Sequence, residues 1–164
     1  MDTTFLTTSQ HKLLLPAGIR DQAISFVQKQ AADSAREASA APFRRLVDFW
    51  FMAVVVAVSR GMAPSDVDGE AFVSIGPTSK DVKLDGSLRE LLVLIAVWHL
   101  RPTRENVPTA GEVVGICNRF AASGAHPLLM QLRNGVDRDA DFQVPSERLA
   151  GIVKALLEKS DGRL

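Results

Sequence analysis

Residues 49–58 read FWFMAVVVAV, ten apolar side chains in a row, and the surroundings this run requires limit every fold open to the chain. A helix that crosses a bilayer needs roughly 20 predominantly apolar residues. Asp48 and Arg60 close this run at half that length, so it predicts a helix buried in protein and no membrane partner. Residues 1–15 open with Asp2 and offer only Leu13, Leu14 and Leu15 as an apolar centre, which predicts no signal peptide and a cytoplasmic location. Val54, Val55, Val56 and Val58 lean towards strand, but a strand as long as 42–61 is improbable, and burial overrides that preference. Pro42 at a first-turn position and Gly61 as a stop delimit the helix, and an element apolar all round belongs at the centre of a domain or partly against a second copy of the chain.

The remaining periodicity predicts a mainly α protein, a compact helical domain of about five helices with a small β-hairpin, spanning residues 1–164. A first helix is expected over 16–39, where Ile19, Ala23, Phe26, Val27 and Ala31 keep helical spacing. Residues 71–76 and 81–85 read as the hairpin insertion at 71–85, with 3–8 as an optional third strand. Ser87 and Glu90 form a capping-box pattern ahead of the apolar run 91–98, which makes this the second central helix with Trp98 in the core. Thr109 and Glu112 repeat the device before Val113, Val114, Ile116, Cys117 and Phe120, with Gly124 as the expected stop and His126 in the turn beyond it. Leu149, Ile152, Val153, Leu156 and Leu157 supply the stripe of a last helix. Val55 and Val93, each at the middle of an apolar run, are expected in the core.

Chemistry is sparsely marked. The chain carries 19 basic and 19 acidic residues, which excludes the strong basic excess of many nucleic-acid-binding domains while leaving local phosphate contacts open. One cysteine, Cys117, excludes a disulfide framework and a cysteine zinc site. The three histidines, His11, His99 and His126, have no ligand-type spacing. The chain contains none of the phosphate-loop, dinucleotide, nucleophile-elbow or zinc-protease motifs. Asp66, Asp68 and Glu70 alternate, so in an extended segment their carboxylates share a face and are the candidate catalytic ligands of a Mg or Mn ion; a solvated acidic loop is the plainer reading. His99, at a helix end followed by Arg101 and Arg104, is the next catalytic candidate. Arg44, Arg45, Lys80, Lys83, Arg101 and Arg104 are the candidate phosphate contacts, with an intrahelical pair to Asp48 as the plainer role for the first two.

The order of features, an apolar helix opened by PFRRLVDFWF, a short hairpin and then LRELLVLIAVWHLR, resembles the small subunit SspB of bacterial phosphorothioation-based anti-phage systems. The resemblance covers residues 42–104 and includes the aromatic cluster Phe49, Trp50 and Phe51. It implies a DNA-nicking subunit that works with other defence-system proteins, and it transfers no catalytic residue. The alternative, which the neutral charge and the missing catalytic signature favour, is a non-catalytic helical interaction or scaffold subunit whose apolar helices dock on a partner. DNA, other defence-system proteins and a second copy of the chain are therefore the candidate partners.

Overall fold

The computed structural model describes residues 9–28, 41–76, 86–100 and 107–133. In chain order these form β1 (His11–Pro16), α1 (Ile19–Ile24), α2 (Leu46–Ser59), β2 (Gly69–Ile75), α3 (Gly86–Leu100) and α4 (Ala110–Arg133). The described chain is thus mainly helical with one small antiparallel sheet. The expected last helix, the strand at 81–85 and the optional strand at 3–8 lie outside the described residues.

The run that opened the sequence becomes α2, and its two ends are set by local chemistry. Arg45 is extended (φ −140°, ψ 155°), and its N–H donates to the Asp48 carboxylate at 3.0 Å, so an acidic side chain satisfies the first free amide and meets the positive end of the helix. The helix starts four residues later than Pro42 suggests, because Phe43 is committed elsewhere: it is buried, bridges Val27 and meets the Phe49 ring edge-on at 5.5 Å. At the other end Gly61 adopts φ +65°, the Met62 amide donates to the Ala57 carbonyl and the Gly61 amide to the Val58 carbonyl. That pair of bonds is the Schellman arrangement, which needs a left-handed residue and so favours glycine.

All of α2 is at least half-buried. Phe49, Trp50, Ala53, Val54, Val56 and Ala57 are inside the core, while Phe51, Met52 and Val58 pack against it from its edge. Val55 is half-buried, not central, whereas Val93 is fully buried. The reason is geometric: α4 covers one side of α2, and Val55 lies away from it.

α4 is longer than its sequence implied. It runs 24 residues through Gly124 and takes in His126 and Pro127. Gly124 does not stop the helix because its backbone angles are helical and its missing side chain has another use. A Cβ built there would stand 1.9 Å from the Ala53 carbonyl oxygen and 3.0 Å from the Ala57 amide nitrogen. Small residues at 53, 57 and 124 let the two backbones touch. Pro127 removes the amide that would bond the Ser123 carbonyl. The Ser123 hydroxyl in turn ties down the loop after α2, donating to the Ala63 carbonyl at 2.7 Å and accepting from the Ser65 amide at 3.0 Å.

α1 is six residues long, far short of the helix expected over 16–39. Its last carbonyls, on Ala23 and Ile24, are taken by the amides of Phe26 and Val27 in tight turns, after which Val27 bridges Phe43 in parallel. Residues 29–40 lie outside the described residues. β2 pairs with β1, from His11 opposite Ile75 to Pro16 opposite Gly69, with an irregularity between Leu13 and Leu14, and the expected hairpin partner at 81–85 lies outside the described residues. Leu13 and Leu15 alternate into the core and Ile75 joins them.

Two glycines in one helix separate the effects of propensity and packing. Gly115 faces open space and Gly124 faces backbone. Gly115→Ala is expected to stabilise the chain by about 0.5–1 kcal/mol through helix propensity. Gly124→Ala carries the same propensity gain but is expected to destabilise by about 1–3 kcal/mol, since the Ala53 backbone must move. Urea unfolding of the two variants checks both signs.

Candidate functional site

The alternating acids do not converge. Asp66 and Asp68 are exposed in the loop, and Glu70 falls inside β2, not in the loop expected for it. Asp66 faces Arg119 of α4 at 3.5 Å and Glu70 faces Arg20 of α1 at 3.5 Å, so two different elements draw the outer pair apart. The Asp68 backbone carbonyl accepts the Ala17 amide at 3.4 Å. Among the described residues no group of three His, Cys, Asp or Glu side chains, this one included, is gathered closely enough to hold a metal ion. Exposed pairs at such distances contribute about 0–1 kcal/mol, so these contacts orient the loop more than they stabilise it.

The candidate phosphate contacts divide in the same way. Arg45 is held by Asp48, its guanidinium donating to the carboxylate at 2.8 Å, which is the intrahelical role read from the sequence. Arg44 is exposed and makes no ion pair with any described residue. Lys80, Lys83, Arg101 and Arg104 lie outside the described residues. His99 stands in the last turn of α3, as expected, and its ring meets Phe120 edge-on at 5.4 Å, which places it at the α3–α4 contact. Neither His11 nor His126 comes into a cluster with it.

Cys117 is fully buried, and its thiol points at the Leu92 carbonyl, with Sγ 3.7 Å from the oxygen. Burial pushes the thiol pKa up from 9.0 to about 12, because the thiolate would lose its hydration with no cation to replace it. The residue is therefore a core thiol that joins α3 to α4, not a nucleophile.

Sequence reasoning missed the feature with the clearest outward orientation. Trp98, expected in the core, is 59% exposed, and Leu94 and Leu91 are 55% and 38% exposed. They fall at i, i+3 and i+7, a single stripe along α3, while Leu92, Val93, Ile95 and Ala96 turn into the core. α3 is thus apolar on both sides and covered on one. Its run of eight apolar residues carried no polar face to give this away. The exposed stripe amounts to on the order of 300 Å² of apolar surface, in the range where patches on monomers are often functional.

No protein-family model, no curated protein and no solved structure matches this chain. Among the described residues no helix is long and apolar enough to cross a membrane.

The thiol offers a pH test. A group whose folded pKa exceeds its unfolded value contributes stability that is complete below the unfolded value and is lost as pH rises through the folded one. The Cys117 contribution is therefore full below pH 9 and declines towards pH 12. Cys117→Ala is expected to flatten the fall of the unfolding midpoint across that window. A thiol reagent at pH 8 should leave the native chain unmodified and react with one thiol per chain in denaturant.

Proposed function

We propose that this protein is a non-catalytic helical interaction subunit that docks a partner on the outer face of α3. The observation that carries the reading is the stripe of Leu91, Leu94 and Trp98, three large apolar side chains turned to solvent on a helix whose other face is locked in the core. A helix that exposes a tryptophan beside two leucines is the kind of surface on which a few residues supply most of the binding energy. Of the candidate acids and arginines, Asp66, Glu70 and Arg45 stand in separate local pairs, which fits a scaffold better than a metal-dependent active site.

A second reading keeps the resemblance of residues 42–104 to the DNA-nicking subunit of phosphorothioation-based defence systems. Arg44, exposed and without an ion pair to any described residue, supports it as a phosphate contact. On that reading Asp68 and its neighbours bind Mg or Mn only once DNA is present.

The two readings predict opposite behaviour. On the interaction reading, Leu94→Glu and Trp98→Glu change stability by less than about 0.5 kcal/mol, because both positions are exposed. Each nevertheless removes the partner that wild type retains on purification from its own cells, whereas Lys12→Glu, on β1, keeps it. Supercoiled plasmid stays intact with Mg or Mn. Metal-dependent nicking by wild type that Asp68→Ala abolishes would replace this reading with the second.

A further inference from the structure

We draw no further inference here: the strongest candidate, the exposed stripe of Leu91, Leu94 and Trp98 on the outer face of α3, belongs to the site already described, and nothing among the described residues shows what covers it.

Discussion

One buried amide joins the three elements that the rest of the chain is built around. Asn118 on α4 is 5% exposed, and its Oδ1 accepts from the Leu14 amide at 2.9 Å and from the Trp50 indole N–H at 3.2 Å, while its Nδ2 donates to the Lys12 carbonyl at 3.0 Å. Accepting from one residue and donating to the carbonyl two before it is what a residue of a neighbouring parallel strand would do to β1. The side chain thus stands in for a strand on the edge of β1 that faces α4, satisfies backbone groups that would otherwise be buried unpaired, and fixes the tryptophan of α2 by its only polar atom. A half-satisfied amide here would cost more than an apolar residue, which is why all three partners matter together.

Around that junction the packing follows from small residues. Gly124, Ala53 and Ala57 bring α2 and α4 into backbone contact, and the close approach puts Trp50 within reach of Asn118 and Cys117 against α3. α4 is then occupied on successive faces by α2, by β1 and by the inner side of α3. The outer side of α3 has no described neighbour left to face. Its leucines and tryptophan are the consequence of a core already filled, and this surplus of apolar surface is what directs the functional reading towards a partner and away from a reaction.

Much of this was legible in the chain before any coordinates. The length of the apolar run excluded a membrane helix and placed α2 in the core, Gly61 marked its end, and Thr109 with Glu112 marked the start of α4, where the Thr109 amide meets the Glu112 carboxylate at 2.8 Å. These signals are local, and local chemistry decides them. What could not be read depended on distant partners. Gly124 looks like a stop unless the Ala53 backbone opposite is known, and Phe43 looks helical unless Val27 is known to bridge it. The pairing of β2 with β1, more than fifty residues earlier, carried no local signal either. The site suffered most. Asp66, Asp68 and Glu70 share a face only in an uninterrupted extended segment, and Arg119 and Arg20 divide them, while Trp98 sits in a run whose two faces are equally apolar.

The central claim is that the Asn118 amide couples α4 to the tryptophan of α2 as well as to β1. A double-mutant cycle tests it directly: Asn118→Ala, Trp50→Phe and the double variant, each measured by urea unfolding. Asn118→Ala leaves two donors and one acceptor buried without partners and is expected to cost about 2–4 kcal/mol. With the indole N–H already gone, part of that loss disappears, so the double variant should be more stable than the sum of the single effects predicts, by about 1 kcal/mol. Effects that add to within about 0.3 kcal/mol would contradict the coupling and leave Asn118 as a residue that serves β1 alone.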